Sequence, residues 1–308
     1  MEMRWVWLPA WLALASVAAS GQIIGDVREA IAQKDFARGE RYLAAYRVKN
    51  GVTPAMLEAL SWLGRGALDS KQYEQAERYA AETRKLALQE LAKRKLDDER
   101  HLPIALGASM EVHAQVLAAR GERGEAITFL RHELAAYRSA SIATRIQKNI
   151  NLLTLEGKPA PPLEINEWLG PKPVPLNQLK GHPVLLFFWA HWCGDCKAEI
   201  PELAKLMAQY RPKGLLLIGP TQHYGYVAGG EEASRQQETR YIEEVRTQYY
   251  SSLQGMSVPV SEQNFLRFGA STTPTLVLLD RAGIARLYHP GAMPYLQLAS
   301  KLAEVAGN

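Results

Sequence analysis

The stretch "VLLFFWAHWCGDCKAEIPELAKLMAQY" (184–210) constrains the fold more than any other part of the chain. Its opening, "VLLFFWA" (184–190), is short and has no polar residue, the texture of a strand buried on both faces. Its end, "CKAEIPELAKLMAQY" (196–210), places apolar groups at the period of a helix with one buried side. Between them stand Cys193 and Cys196, the two cysteines of the sequence. A buried strand running directly into an amphipathic helix needs an α/β framework around it. The first cysteine falls where that helix begins.

The surrounding texture supplies the framework. "GLLLIG" (214–219) reads as a second buried strand, Glu238–Tyr250 as a helix and "NFLRFG" (264–269) as a short one. "TLVLLD" (275–280), the turn "RAG" and "IARLYH" (284–289) read as a β-hairpin, and Pro294–Val305 as a last helix. A β-α-β half followed by a β-β-α half predicts an α/β domain with a mixed central sheet. Ahead of it, residues 156–183 carry seven prolines, and their opening reads as a linker. Within that stretch "PLEI" and "PVPL" read as short extended segments and "LNQL" as one helical turn.

From Asp26 to about Leu155 no strand-like alternation occurs, and helical periodicity prevails. Three places echo one another: "KDFARGERYL" (34–43), "KQYEQAERYA" (71–80) and "GERGEAITFL" (121–130). Each has a turn, a small residue (Gly39, Ala76, Ala126) and an aromatic three residues later (Tyr42, Tyr79, Phe129). This pattern is similar to the second helix of a tetratricopeptide (TPR) hairpin, where a small residue permits close packing. The small positions lie 37 and 50 residues apart, against a repeat of about 34. Longer helices or an inserted stretch around residues 90–105, with "HLPIA" and its Pro103 as the break, would account for the longer interval.

The first residues, "MEMRWVWLPAWLALASVAASGQ", have Arg4 near the front, an apolar core to Ala19 and small residues around Ala18–Ser20. That is the layout of a secretory leader over residues 1–21. The alternative, an uncleaved anchor, has a core shorter than the roughly 20 residues of a membrane span. The expected organisation is a leader (1–21), a helical domain (22–155) and an α/β domain (156–308), in an exported, periplasmic or otherwise extracytoplasmic protein. The net charge of +4 is mild and no Lys/Arg block tracks a phosphate backbone, which argues against nucleic acid.

Three readings of the cysteine pair compete. A staple is weak, because a Cys-x-x-Cys bridge closes a very small loop. A metal site needs two further ligands, and none of the seven histidines stands at zinc-finger spacing. A redox pair needs only what is present. The helix N-terminus stabilises a Cys193 thiolate, and Cys196, almost one turn later, lies within disulfide reach to resolve a mixed disulfide. Trp192 flanks the first sulfur. Asp195 either opposes the thiolate, and so favours a reductant, or points to solvent and caps the helix.

The segment "APPLEINEWLGPKPVPLNQLKGHPVLLFFWAHWCGDCKAEIPEL" resembles the TlpA/ResA-like, extracytoplasmic branch of thioredoxin-fold proteins. "STTPTLVLLDRAGIARLYHPG" (271–291) resembles that family's second signature. The resemblance covers about 157–308 and implies a thioredoxin-like fold with Thr273–Pro274 as a cis peptide facing the cysteines and pairing with substrate. Phe187 stands where thioredoxins proper carry a buried carboxylate. A proton acceptor for Cys196 must then come from elsewhere, and His223, in the loop 220–238, is the candidate. The resemblance implies a thiol–disulfide oxidoreductase that reduces protein disulfides and is recharged by a membrane thiol-electron donor. No organic cofactor and no metal are implied. The helical domain would dock a protein partner or serve dimerisation. The competing readings are an oxidant or isomerase using the same pair, and a TPR-type scaffold with a passive thioredoxin domain. A peroxidase is disfavoured, since there is no cysteine besides this pair.

Overall fold

The computed structural model describes residues 11–306, with side chains from residue 21 onward. The side chains of the expected leader, 1–20, therefore lie outside the described residues. The chain divides into two compact units, Met1–Ile142 and Ala143–Asn308.

The first unit is helical: α1 (Trp11–Ala32), α2 (Phe36–Asn50), α3 (Pro54–Asp69), α4 (Tyr73–Leu91), α5 (His101–Ala119) and α6 (Arg123–Ala136). They form three hairpins joined by the same turn. Lys34, Lys71 and Gly121 adopt φ of 56°, 58° and 88°. The next N–H in each turn bonds back five residues, from Asp35 to Ala30, Gln72 to Ala67 and Glu122 to Leu117. Gly39, Ala76 and Ala126 each occupy the fourth position of the returning helix, and all three are buried. A Cβ on Gly39 would come within 2.8 Å of a Leu63 methyl on α3, so a larger side chain there would crowd the next hairpin.

Helix α3 packs against α1, α4 and α5 and forms the centre of the unit, with Leu57, Leu63 and Ala67 fully buried. It begins at Thr53, whose side chain caps the Met56 N–H, followed by Pro54 at a position that needs no donor. The expected inserted stretch does separate α4 from α5, as residues 92–100 with one 3-10 turn at Leu96–Asp98, but Pro103 lies beyond it, in the first turn of α5, where a missing N–H costs nothing. Among the described residues α5 is the one helix long and apolar enough to cross a membrane. More than half of it, 56%, is buried within the protein, the condition of a core helix.

The second unit contains α7 (Ala143–Thr154), β1 (Trp168–Leu169), β2 (Val184–Phe188), α8 (Gly194–Tyr210), β3 (Leu216–Ile218), α9 (Arg235–Tyr249), β4 (Val258–Pro259), α10 (Glu262–Phe268), β5 (Thr275–Leu279), β6 (Ala285–Pro290) and α11 (Tyr295–Ala306). The main sheet has the order β3-β2-β5-β6, with β2 parallel to β3 and antiparallel to β5, and β6 antiparallel to β5. β1 and β4 form a separate antiparallel pair. The strand period of two sends Leu185, Phe187 and Trp189 into a core with α8, α9 and α11. Val184, Leu186 and Phe188 enter a second core with Phe265 and Phe268 of α10. This double burial is why β2 is apolar throughout.

Two features differ from the sequence reading. Helix α7, expected to close the helical domain, packs on α10. The contact is close: a Cβ on Gly269 would overlap the Lys148 backbone nitrogen. The apparent linker is also not free. Gly157 and Ala160 donate to the carbonyls of Ala285 and Gly283, and Ala285 donates to Lys158. Residues 157–160 thus cover part of the open edge of β6.

Candidate active site

Three connections fix the turn that leaves β2. The Trp189 N–H donates to the Pro220 carbonyl at 3.1 Å. Its indole Nε1–H donates to the Gly219 carbonyl at 2.9 Å, and Thr221 Oγ1 donates to the Trp189 carbonyl at 2.8 Å. The ends of β2 and β3 are thereby locked, and the chain enters α8 at Cys193.

Cys193 is the N-cap of α8, and its Sγ accepts the Cys196 N–H at 3.0 Å. The two residues are joined by a disulfide with a Cα–Cα separation of 5.3 Å. In the reduced protein the same N–H and the positive end of a 17-residue helix face the Cys193 sulfur. Both favour a thiolate. Cys193 retains 3% of its surface and Cys196 none. Of the pair, only the first keeps any surface open to solvent.

Around the pair, Trp192 is half exposed and meets the Tyr224 ring edge-on at 5.5 Å. Asp195 is exposed in the first turn of α8. The Thr273–Pro274 peptide is cis. Because Thr275 pairs with Phe188, that peptide lies at the end of the sheet from which the cysteine turn departs. Pro274 is buried, and Thr273 Oγ1 is buried with no hydrogen-bond partner. The cysteine turn and the cis peptide thus lie at the same end of two adjacent central strands.

His223 is engaged elsewhere. Its Nε2 lies 2.8 Å from Thr239 Oγ1 and 3.6 Å from Glu167. Burial, then the Arg235 charge, lowers its pKa. Phe187 is fully buried against Tyr250, so the interior beneath the pair is apolar at that position.

Two carboxylates escaped the sequence reading. Glu199 follows Cys196 by three residues and so shares its side of α8. One oxygen accepts the Met293 N–H at 2.7 Å, and the other is buried without a partner. Burial, opposed by that N–H and reinforced by Glu202 and Asp195, raises its pKa to about 6. The i, i+3 spacing was available as a signal. Glu238, fully buried in the first turn of α9, receives His191 Nε2 at 3.2 Å. Nothing in the spacing joins residues 47 positions apart.

The sheet order, the cysteine pair capping a helix and the cis-proline strand beside it define a thioredoxin-like domain. Residues 157–222 match the AhpC/TSA family. The thiol-disulfide oxidoreductase ResA of Oceanobacillus iheyensis is 38% identical over 74 residues, 23% of this chain and 38% of that protein. The thiol:disulfide interchange protein DsbE of Xylella fastidiosa is 28% identical over 152 residues, 49% of this chain and 69% of that one. A solved thiol:disulfide interchange protein of the thioredoxin family from Chlorobium tepidum is 17% identical, with a TM-score of 0.38 over 49% of this chain and 97% of that chain. The chain thus carries a thioredoxin-like AhpC/TSA domain with ResA- and DsbE-type relatives, preceded by an all-helical unit, and it spans little more than a third of the ResA relative's length.

Proposed function

We propose that this protein is an exported thiol–disulfide oxidoreductase that reduces disulfides in protein substrates. The observation that carries this is the Cys193 sulfur capping α8, with Cys196 sealed beneath it. The Cys193 thiolate attacks one sulfur of the target disulfide. That bond breaks, and its electron pair leaves on the other substrate sulfur. Cys196 then gives up its proton and attacks Cys193, releasing the second substrate thiolate. The substrate gains two electrons, and the Cys193–Cys196 disulfide remains.

Glu199 takes the Cys196 proton in this scheme. It stands on the same helix side with a free buried oxygen, and a pKa near 6 leaves it ionised at neutral pH yet basic enough to share a proton. His223, bound to Thr239 and facing Glu167, does not serve in that role. Trp192, Thr273 and Pro274 form the edge that meets substrate. Asp195 disfavours the thiolate and holds the couple toward the reducing end. A membrane thiol donor restores the dithiol. The helical unit acts as a TPR-like docking module, a reading supported by its three hairpins of matching turn and matching small residue.

Two measurements test this. Turnover of insulin disulfides with dithiothreitol should disappear in Cys193→Ala; a scaffold with a passive domain would show no turnover in the wild type. Equilibration with glutathione should give a potential below about −200 mV. A value near that of a strong oxidant, about −120 mV, would reverse the direction of electron flow.

A further inference from the structure

Glu238 has no part in the exchange just described, yet it is fully buried beside it. Its Oε1 accepts the Tyr224 N–H at 2.6 Å and faces His191 Nε2 at 3.2 Å; its Oε2 accepts the Gly225 N–H at 2.9 Å. In its Nε2–H tautomer His191 donates to Glu238 Oε1. The donors belong to two segments. His191 lies in the active-site turn, and Tyr224 and Gly225 open the loop between β3 and α9. Beyond them the loop closes on itself, through Val227 N–H to Glu231 and Ala233 N–H to Gly225.

The aromatic surroundings extend this tie to the surface. The His191 ring is met edge-on by Tyr224, Tyr226 and Tyr241 at 5.5, 5.4 and 5.3 Å. Tyr224 in turn meets Tyr226, Phe265 and Trp192, the last half exposed and directly before Cys193. Leaving the partners of a fully buried carboxyl group unpaired is costly, which favours this one arrangement.

We propose that Glu238 is a positioning residue that clamps the 224–226 loop to the active-site turn through His191, so that Tyr224 and Trp192 form a fixed aromatic wall beside Cys193. The wall receives the polypeptide flanking the target disulfide, with apolar or aromatic side chains favoured there. The proposal rests on the redox reading given above. Fixing the two rings in advance removes ordering cost from substrate binding, and that gain is realised only with a polypeptide.

The test compares exchange with insulin and with 5,5′-dithiobis(2-nitrobenzoate) in the full-length protein. In His191→Leu, the ratio of kcat/KM for insulin to the rate constant for the small disulfide should fall about tenfold, through KM. His191→Gln, which keeps an N–H donor, should retain the wild-type ratio. In the double variant with Glu238→Gln the ratio should fall no further than in either single variant. An unchanged ratio in both single variants, or effects that multiply, would overturn the proposal. Amide hydrogen exchange at Tyr224 and Gly225 should quicken at least tenfold in Glu238→Gln. Unchanged exchange there, with turnover intact in the wild type, refutes the clamp alone. A wild type that turns over neither probe refutes the redox reading, and the wall with it.

Discussion

Replacing Glu199 by Gln should make the protein more stable at neutral pH. An unfolded carboxyl releases its proton near 4.5, and the folded Glu199 near 6. Between those values folding takes up a proton, so the contribution of this group to stability falls as pH rises through the window. Above pH 6 the penalty is complete; below 4.5 it is absent. A rise of about 1.5 pKa units corresponds to about 2 kcal/mol. The carboxyl is only partly buried, and solvent screening roughly halves this to ~1 kcal/mol. Gln keeps the acceptor for the Met293 N–H and carries no charge. Urea unfolding of the oxidised protein, followed by tryptophan fluorescence, should show E199Q gaining ~1 kcal/mol on wild type between pH 4 and pH 7.5. The same variant should lose a pH inflection near 6 in the rate at which Cys196 resolves a mixed disulfide. A stability difference that stays flat with pH would refute the raised pKa. A gain in stability with an unaltered resolution profile would remove Glu199 as the proton acceptor.

In the reduced protein, Cys196→Ala should trap mixed disulfides on denaturing gels while Cys193→Ala should not; equal trapping would reverse the assignment of attacking and resolving sulfurs. Asp195→Asn should lower the Cys193 pKa by less than one unit, because Asp195 is exposed and screened, and should make the couple more oxidising. Thiolate absorbance at 240 nm against pH reads this, and an upward shift would contradict the electrostatic role. Gly269→Ala should cost at least about 2 kcal/mol in urea unfolding, since the position combines φ of 61° with backbone of α7 inside van der Waals contact. Near-wild-type stability would mean that α7 is not tightly docked.

Local signals carried most of what the sequence disclosed. The apolar run 184–190, the helix expected over 196–210 and the hairpin around "RAG" depend on neighbours along the chain, and all appear within two residues of their expected bounds. Gly39, Ala76 and Ala126 were recognised by their aromatic partners three residues on, and they occupy equivalent positions in three hairpins. The misreadings involve pairing across distance. Residues 157–160 have the composition of a linker because an edge-covering segment needs few side-chain contacts, yet their backbone is bonded to residues 283–285. Pro103 reads as a breaker only if the helix is assumed to have started already. His223 and Glu238 share one stretch of sequence, but their partners, Glu167 and His191, were fixed by folding. Glu199 could have been found from its spacing to Cys196, had the helix been read as a surface of the site as well as its support.

The allegiance of α7 determines where the redox domain can be excised. A fragment begun at residue 156, where the composition changes, would lack Ile146 and Ile150 and the Asn151 side chain that donates to the Arg267 carbonyl. It would also lack Leu155, which fills the core beside Phe268. Such a piece would present a fresh apolar surface to solvent and tend to self-associate. A fragment begun at residue 143 keeps the helix, the covered β6 edge and both cores together. The natural cleavage point for a protease, or for anyone building a minimal redox domain, is thus the short connection between α6 and α7.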